Sequence, residues 1–383
     1  MLRIMSVTGS LAQGGAERHA VALMNGLSVR GHECHTVYVK REEDLLDRVR
    51  SGDHGTVLCL AASRYFDWQA LRRLARHIDC VQPSVIVAAN AYALLYAALA
   101  LRIARTQARL IVTFHSTKLV SVKERLQMLA YRPLFWSADR LVFVCAAQKR
   151  HWLRRALFAR ANQVIHNGVD IAQFGTASRE PARSRIRAGL GIRDGDYVIG
   201  LPAMLRPEKN HLQLVDAIAL LRDAGIPAHA VMIGDGEMRA SVEARARERG
   251  VAAYVSITGL QRDVRPYIAA CDAVTLCSFT EAFSMASIEA MAMGKAVVHS
   301  NVGGAAEMVF PGHNGFLFPV GDTAALAQRL AMLADPAVAA SMGENARRVA
   351  VHFFSEKTMV DRYEQMLREV CGMPARRLEA AVH

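Results

Sequence analysis

The sequence predicts an α/β fold made of two doubly wound domains whose parallel sheets face each other across a cleft. Short apolar segments alternate with helical patterns along most of the chain, which is typical of parallel sheets covered by helices. The alternation breaks in a polar stretch at 172–196 and then restarts. A length of 383 residues is enough for two cores. We therefore expect a first domain over 1–173 and a second over 174–354. A closing helix over 355–371 is expected to return to the first domain, with a frayed tail over 372–383.

The first forty residues have the pattern of a strand, a loop, a helix and a second strand. Leu2 to Val7 is an apolar run typical of a buried parallel strand, and a glycine-containing loop follows it. Apolar residues recur at helical spacing from Ala16 to Val29, and Glu33 to Val39 is the next predicted strand. Because crossover connections are right-handed, the two strands are parallel. The later strands of this domain are predicted at 56–60, 85–89, 109–114, 140–145 and 163–166.

The second domain repeats this alternation after the polar stretch. Its strands are predicted at 197–203, 228–234, 254–258, 273–278, 296–300 and 315–318. Its helices are predicted at 208–224, 237–249, 263–271, 284–293, 304–309, 322–334 and 337–352. Strands and helices in this order predict a second doubly wound sheet.

The most apolar stretch, residues 85–104, is a candidate membrane span. Pro83 precedes it, Asn90 interrupts it and Arg102 lies near its end. A spanning helix needs about 20 unbroken apolar residues. A buried strand followed by a helix is therefore the better interpretation.

Cysteine usage and the N-terminal residues favour a cytoplasmic protein. The seven cysteines are scattered without a Cys-x-x-Cys pair, which favours neither a disulfide framework nor a zinc site. The first eight residues lack the long apolar core of a signal peptide. Asp194, Gly195 and Asp196 fall in a turn of the polar stretch, and we expect no metal there.

The formal net charge of +12 lies entirely in the first domain. Residues 1–173 carry 24 basic and 12 acidic side chains, whereas residues 174–383 carry 23 of each. An excess of positive charge raises the possibility of a nucleic-acid partner. Because no nucleic-acid-binding motif accompanies the charge, we do not expect such a partner.

Two glutamates eight residues apart, Glu281 and Glu289, are candidates for binding chemistry. The strand predicted at 273–278 ends just before Glu281, and a helix begins near Ser284. Open α/β sheets bind ligands outside the carboxyl ends of their strands, and free amides at a helix start can hold an anion. By charge alone, the pair also fits solvated acidic residues at a helix N-terminus.

A series of short motifs follows the order found in one enzyme family. These are Gly14–Arg18, Phe114–Ser116, Val164–Asp170, Arg206–His211, Gly234–Gly236, the pair Glu281 and Glu289, Asn301–Gly304 and Asn314–Phe318. In this set the chain resembles the retaining sugar-nucleotide glycosyltransferases of family 4, which have the GT-B fold, over roughly residues 2–370. Each motif is weak by itself, but the ordered set is specific.

The resemblance implies that the first domain binds the acceptor and the second binds a nucleotide diphosphate sugar. It implies that Glu281 contacts the donor sugar and that Glu289 accepts hydrogen bonds from the ribose hydroxyls, as a carboxylate can. The implied catalytic residues are Glu281, Lys209, Arg206 and His115. The implied donor-binding residues are Gly14, Gly15, Ala16, Gly234, Leu260, Phe283, Ser284, Met285 and Glu289.

The implied roles of Lys209 and Arg206 depend on where these residues lie relative to the preceding strand. Lys209 follows the strand predicted at 197–203, where its ammonium can neutralise a diphosphate leaving group. Family members often have an arginine five residues before this lysine. Met204 occupies that position here, and we expect Arg206 to substitute.

The first domain offers a glycine loop and a histidine. Gly14 and Gly15 lack a Cβ at a helix start, so a ligand can approach the backbone, although a tight turn without a ligand also fits. His115 ends the strand predicted at 109–114, and the resemblance places it against the donor sugar. A structural histidine is the alternative.

The mechanism that the resemblance implies needs no protein nucleophile, cofactor or metal. The acceptor hydroxyl attacks the face from which the nucleotide diphosphate leaves, and the departing phosphate oxygen takes the acceptor proton. The protein contributes positioning and charge stabilisation.

Two alternatives to a membrane-linked transferase remain open, and one is excluded. A non-hydrolysing nucleotide-sugar epimerase has the same architecture but uses no acceptor, and a transferase could also act on a soluble small molecule. A nicotinamide-dependent oxidoreductase would need a Gly-x-Gly-x-x-Gly loop and an acidic residue after the second strand. The loop lacks that spacing, and Val39 is followed by Lys40 and Arg41.

The basic first domain suggests where the acceptor is met. Residues 118–160 hold ten basic side chains against Glu124 and Asp139, with aromatic residues between them. Relatives that use lipid-linked acceptors often dock on the anionic inner membrane through such a domain, where each basic residue contributes about 1 kcal/mol. An arginine-rich solvated face is the alternative. The amphipathic segment 67–78 is expected to pack on the core.

Overall fold

The computed structural model describes residues 1–52, 54–116, 122–175 and 179–374. The chain divides into two compact units, Met1–Gly168 with Glu356–His383 (unit 1) and Val169–Ser355 (unit 2). At the start of unit 2 the amide of Val169 donates to the carbonyl of Phe354 at 2.8 Å. The predicted tail beyond residue 374 and residues 117–121, where the basic stretch begins, lie outside the described residues.

Unit 1 is built on a seven-stranded parallel sheet in the order β3-β2-β1-β4-β5-β6-β7. Its strands are β1 (Arg3–Thr8), β2 (Glu33–Tyr38), β3 (Val57–Cys59), β4 (Val85–Ala89), β5 (Arg109–Phe114), β6 (Arg140–Phe143) and β7 (Ala161–Val164). Its helices are α1 (Gly15–Val29), α2 (Trp68–Val81), α3 (Asn90–Ile103), α4 (Val122–Ser137), α5 (Ala146–Leu153) and α14 (Glu356–Val370). Both faces are covered, since Met5 packs with α2 and α3 while Ile4 packs with α1 and α14.

Unit 2 is built on a six-stranded parallel sheet in the order β10-β9-β8-β11-β12-β13. Its strands are β8 (Tyr197–Pro202), β9 (Ala228–Ile233), β10 (Val255–Ile257), β11 (Ala273–Leu276), β12 (Ala296–Ser300) and β13 (Gly315–Phe318). Its helices are α6 (Arg179–Gly189), α7 (His211–Asp223), α8 (Arg239–Glu248), α9 (Arg265–Ala270), α10 (Met285–Ala292), α11 (Ala305–Met308), α12 (Thr323–Met332) and α13 (Pro336–Phe353). The predicted α/β class, with two Rossmann-like parallel-sheet domains, is confirmed.

The apolar stretch 85–104 forms a strand and a helix, as expected. Every residue of β4 is buried within the sheet, and α3 begins at Asn90. Within the described part of the chain, no helix is both long enough and apolar enough to cross a membrane. The segment 67–78 packs on the core as predicted, because Leu71, Leu74 and Ile78 of α2 are fully buried.

The polar stretch 172–196 holds a helix that the sequence pattern did not predict. Helix α6 is tied to unit 2 by two arginines, because Arg183 and Arg187 each contact the carboxylate of Asp272 at 2.9 Å. Pro181 is the third residue of the helix, where proline is tolerated. A charged helix that docks through ion pairs has too few apolar residues for a periodic signal.

A buried carboxylate holds α14 on unit 1. Glu364 is 3% exposed and accepts hydrogen bonds from Arg30 at 2.9 Å and from His32 and Arg368 at 3.2 Å each. Nδ1 of His32 accepts from the amide of Leu2 at 3.1 Å, so Nε2 carries the proton. Burial by itself raises the pKa of Glu364, but the hydrogen bonds from Arg30, His32 and Arg368 outweigh it and lower the pKa to about 2.

Replacing Glu364 by glutamine should lower the free energy of unfolding at neutral pH by about 2 to 3 kcal/mol. Because the folded-state pKa lies below the unfolded value of about 4.3, the carboxylate stabilises the fold above that value. This contribution is lost as the pH falls towards 2. Urea denaturation of both proteins from about pH 7 to about pH 3 should show the difference shrinking.

The matched control for this experiment is Glu369→Gln on the same helix. The carboxylate of Glu369 lies 3.6 Å from Arg140, and its side chain is 43% exposed. We expect this change to alter stability by less than about 0.5 kcal/mol. A Glu364→Gln difference that does not vary with pH would contradict the assignment.

Candidate active site

In both units the strand order reverses at a point where ligands are expected. In unit 1 the reversal lies between β1 and β4, and in unit 2 between β8 and β11. Loops after the two strands at such a point run in opposite directions and leave a crevice at the carboxyl ends. The predicted residues Gly14 and Gly15 follow β1, Lys209 follows β8, and Glu281 follows β11.

Lys209 and Glu281 form an ion pair at the reversal point of unit 2. Nζ of Lys209 donates to Oε2 of Glu281 at 2.6 Å, and their side chains are 23% and 16% exposed. Lys209 ends a short 3-10 turn, and Asn210 in the left-handed region (φ 52°) starts α7. The loops that carry the pair are joined by backbone, because the amide of Phe279 donates to the carbonyl of Glu208 at 2.9 Å.

The backbone of Glu281 rests on a glycine after β12. Gly303 has φ +54°, and a Cβ there would lie 2.1 Å from the carbonyl oxygen of Glu281 and 2.8 Å from that of Ala282. The amide of Gly304 donates to the carbonyl of Ala282 at 2.8 Å. The predicted Asn301–Gly304 motif therefore holds the backbone from which the Glu281 side chain projects.

Substitution of Gly303 by alanine should lower kcat by about 10-fold or more, because the Cβ would displace the backbone that carries Glu281. Gly312 is the matched control, since it has φ +81° and a Cβ added there would meet nothing within 4 Å. Gly312→Ala should cost about 1 kcal/mol of stability through backbone strain and leave kcat unchanged. Steady-state kinetics with thermal denaturation of both variants separates the two effects, and equal kcat values would contradict the assignment.

Gly234 lies where two loops of unit 2 pack closely. A Cβ at Gly234 would be 2.2 Å from the carbonyl oxygen of Ala203, and the amide of Leu205 donates to the carbonyl of Asp235 at 2.9 Å. This close approach requires glycine whether or not a ligand binds. Leu260, in the loop after β10, is 73% exposed.

The start of α10 holds the remaining predicted donor residues. Oγ of Ser284 caps the helix by accepting from the amide of Ser287 at 3.2 Å. Phe283 is buried against Phe354, with ring centroids 5.4 Å apart. Glu289 lies inside the helix with 8% of its surface exposed, and Met285 is its first residue.

Arg206 and Met204 lie beside Lys209 in the loop after β8. The side chain of Arg206 is exposed and has no hydrogen-bond partner among the described residues. Met204 is 41% exposed. The guanidinium of Arg206 is therefore exposed in the same loop as Lys209, and its substitution for the missing arginine stays a prediction.

His115 directly follows β5, and its backbone is held by Asn90 and Gln148, which were not among the predicted site residues. Its amide donates to Oδ1 of Asn90 at 2.9 Å. The side chain of Gln148, fully buried on α5, donates to the carbonyls of Phe114 and Ser116 at 2.9 and 3.0 Å. Asn90 had a sequence signal, since it is the polar residue in an apolar stretch, whereas Gln148 had none.

The imidazole of His115 is neutral at pH 7, because burial lowers its pKa to about 4.

The predicted glycines Gly14 and Gly15 lie at the start of α1, also in unit 1. A Cβ at Gly14 would be 1.9 Å from Oε2 of Glu17, whereas nothing lies within 4 Å of one at Gly15. Ala16 is buried in the first turn. The open space at Gly15 leaves its backbone accessible at the end of β1.

No three His, Cys, Asp or Glu side chains are grouped to hold a metal ion in the part of the chain that the structure describes. The positive charges available at the reversal point of unit 2 are those of Lys209 and Arg206. They are the groups that could face an anion there.

Comparison with known proteins gives matches over both units. Residues 13–173 match the family model Glycosyltransferase Family 4, and residues 182–349 match Glycosyl transferases group 1. EpsD of Bacillus subtilis (strain 168) is 31% identical over 199 residues, which are 51% of this chain and 52% of that protein. The lipopolysaccharide core biosynthesis glycosyltransferase LpsE of Rhizobium meliloti (strain 1021) is 30% identical over 155 residues, 40% of this chain and 44% of that protein. The chain spans about half the length of the curated relatives it matches.

Solved structures show the same fold over nearly the whole chain. HepE of Anabaena, crystallised in complex with UDP, superposes with a TM-score of 0.83 at 23% identity, covering 96% of this chain and 100% of that chain. This likeness shows the GT-B fold. The two family models match residues 13–173 and 182–349, and the chain belongs to the family 4 glycosyltransferases.

Proposed function

We propose that this protein is a retaining glycosyltransferase that moves a sugar from a nucleotide diphosphate sugar to an acceptor hydroxyl in cell-surface polysaccharide or lipopolysaccharide synthesis. The observation that carries the proposal is the Lys209–Glu281 pair at the reversal point of unit 2. The names of relatives support it: HepE was crystallised with UDP and with UDP-glucose, and LpsE is a lipopolysaccharide core enzyme.

The Lys209–Glu281 pair can bind both the diphosphate and the sugar of such a donor. An ammonium has three N–H donors, and Glu281 takes one, so two remain for the oxygens of a diphosphate. Oε1 of Glu281 has no partner among the described residues and can accept from a sugar hydroxyl. In this arrangement the same ion pair neutralises the leaving group and orients the sugar next to it.

The transfer is a substitution at the anomeric carbon. The bond from that carbon to the phosphate oxygen breaks, the bond to the acceptor oxygen forms on the same face, and the acceptor proton goes to the leaving phosphate. Lys209, with Arg206 beside it, stabilises the negative charge that develops on the diphosphate. Under this proposal no metal or cofactor takes part, and turnover should be unchanged by excess EDTA.

A panel of nucleotide sugars tests the proposal directly. Release of nucleoside diphosphate is measured for each sugar with and without a candidate acceptor, and NMR of the product gives the anomeric configuration. Acceptor-dependent release with retained configuration supports the proposal. Conversion of the sugar nucleotide without an acceptor would instead identify an epimerase, and an inverted product would overturn the retaining mechanism.

Arg206→Ala should lower kcat by about 10-fold if this residue supplies the second phosphate contact. Arg193, in the turn that precedes β8, is the matched control for removing an exposed arginine. Arg193→Ala should retain wild-type kcat. Unchanged turnover of Arg206→Ala would show that the leaving group is held without it.

We further propose that unit 1 meets its acceptor at the cytoplasmic face of an anionic membrane. Phe66 and Trp68, which precede α2 and begin it, are 44% and 50% exposed, and Leu126 and Leu129 on α4 are 62% and 49% exposed. Tyr65 joins the two segments through hydrogen bonds to Gln127 and Tyr131 of α4. Exposed aromatic and aliphatic side chains in a basic domain suit a negatively charged lipid surface.

Co-sedimentation with vesicles tests this surface. Binding to phosphatidylglycerol vesicles should exceed binding to phosphatidylcholine vesicles and fall with added salt. Phe66→Ser should weaken it, whereas Phe310→Ser, which changes a residue of unit 2 that is 42% exposed, should not. Equal binding to both lipids, or none, favours a soluble acceptor.

A further inference from the structure

His115 is partly buried and forms a cluster with two buried side chains of unit 1. The ring of His19 on α1 lies edge-on to that of His115, with centroids 4.7 Å apart and an interplanar angle of 62°. The ring of Tyr363 on α14 lies 5.3 Å from that of His19. His19 is 5% exposed and Tyr363 is fully buried. Three elements far apart in sequence therefore converge behind His115.

Four of the five polar side-chain atoms of this cluster lack hydrogen-bond partners within the described part of the chain. They are both ring nitrogens of His19, Nε2 of His115 and Oη of Tyr363. A neutral imidazole has one N–H and one lone pair, and burying either of them without a partner is unfavourable. Ala20 and Leu23, which are also buried on α1, show that apolar side chains suit this helix face. A histidine at position 19 is therefore unfavourable for the fold alone and points to a role in function.

Both imidazoles are neutral at pH 7. Burial lowers the pKa of His19 well below its ordinary value, and the neighbouring His115 lowers it further. The pKa of His115 is about 4 for the same reason of burial. Two neutral rings in edge contact interact through their dipoles, so the proton position on one affects which nitrogen carries the proton on the other.

We propose that His19 is a positioning residue for His115, fixing its ring orientation and its tautomer for contact with a sugar hydroxyl, with Tyr363 packed against His19 from α14. The inference rests on the proposed function, because His115 is the member of the cluster that the family resemblance places against the donor sugar. His19 acts through His115 and does not touch the sugar itself. Its nitrogens are needed, beyond the shape of its ring.

His19→Phe separates the ring from its nitrogens. The variant keeps an aromatic ring at the contact, so we expect thermal stability equal to or above that of wild type, since unpartnered polar atoms are removed. We expect kcat to fall about 10-fold while KM for the donor changes less than about 3-fold. His19→Gln, which restores an N–H donor and an acceptor, should recover part of kcat.

His77→Phe is the matched control for this change. His77 is a half-buried histidine on α2 of the same unit, near the amino ends of β2 and β3 and opposite the predicted site. The kcat of the His77→Phe enzyme should equal that of wild type. A His19→Phe enzyme with kcat within about twofold of wild type would overturn the proposal.

A spectroscopic measurement keeps this result separate from the fate of the proposed function. Long-range ¹H–¹⁵N spectra of protein labelled at histidine report the tautomer of each ring, and His115→Gln identifies the His115 signals. One tautomer is expected in wild type and a mixture in His19→Phe, with or without turnover. A changed tautomer in a protein that transfers no sugar would retain the positioning role and refute the proposed function. An unchanged tautomer in an enzyme that transfers sugar would refute the positioning role and retain the proposed function.

Discussion

Replacement of Lys209 by alanine is expected to lower kcat by about 10²- to 10³-fold, the largest effect of any single change in this chain. Two reasons combine. The variant removes the cation that we propose faces the leaving diphosphate, and it leaves the carboxylate of Glu281 without the partner that now lies 2.6 Å away. Release of nucleoside diphosphate, measured at saturating donor and acceptor, gives the result.

Two further lysine variants define what the loss means. Lys209→Arg keeps a positive charge in a different shape, so we expect activity between those of wild type and Lys209→Ala. Lys357→Ala removes a lysine that is 83% exposed on α14 and should have no effect on kcat. If Lys209→Ala retained more than about a tenth of wild-type kcat, the leaving group would have to be stabilised elsewhere.

Glu281→Gln is expected to lower kcat by about 10²-fold, because the neutral amide keeps the shape but loses the charge that orients Lys209. The effect should be in kcat more than in KM if the contact strengthens as the sugar is released. Glu237→Gln, at an exposed glutamate of unit 2, is the matched control and should be silent. A Glu281→Gln enzyme with unchanged kcat and a raised KM would show that Glu281 contributes to substrate binding and not to the transfer step.

The double variant tests whether the two residues work as a unit. If the two side chains act as a unit, the loss of kcat in the double variant Lys209→Ala with Glu281→Gln should be close to the loss in Lys209→Ala alone. If the losses multiply, the two side chains make independent contributions. The ion pair would then be a feature of the unliganded protein only.

Much of the fold could be predicted because apolar periodicity and parallel-sheet topology leave few alternatives. Strand β4 and helix α3 follow from one apolar stretch with a polar residue at Asn90. Helix α6 could not be predicted, since its anchors are Arg183 and Arg187 on a carboxylate 89 and 85 residues away in sequence. A pattern of charges does not show which partner it meets.

The candidate site was predictable as a set of residues and not as an arrangement. Lys209 and Glu281 are 72 residues apart, and their contact requires β8 and β11 to be neighbours at the reversal point of the sheet. Gly303 belonged to a recognised motif, but its close approach to the carbonyl of Glu281 depends on where β12 ends. Gln148 gave no signal, because a buried glutamine on a short helix looks like any polar residue.

The sequence by itself determined the family and the α/β class, and it predicted the charged residues of the candidate site, because local patterning and ordered motifs are properties of the chain alone. It also determined that the excess of positive charge lies in the first half. Tertiary structure alone decided which residues touch: Lys209 and Glu281, Arg30 and Glu364 of α14, and His19 and His115. The physical reason is that ion pairs and ring contacts act over a few ångströms, and only packing brings distant segments within that range.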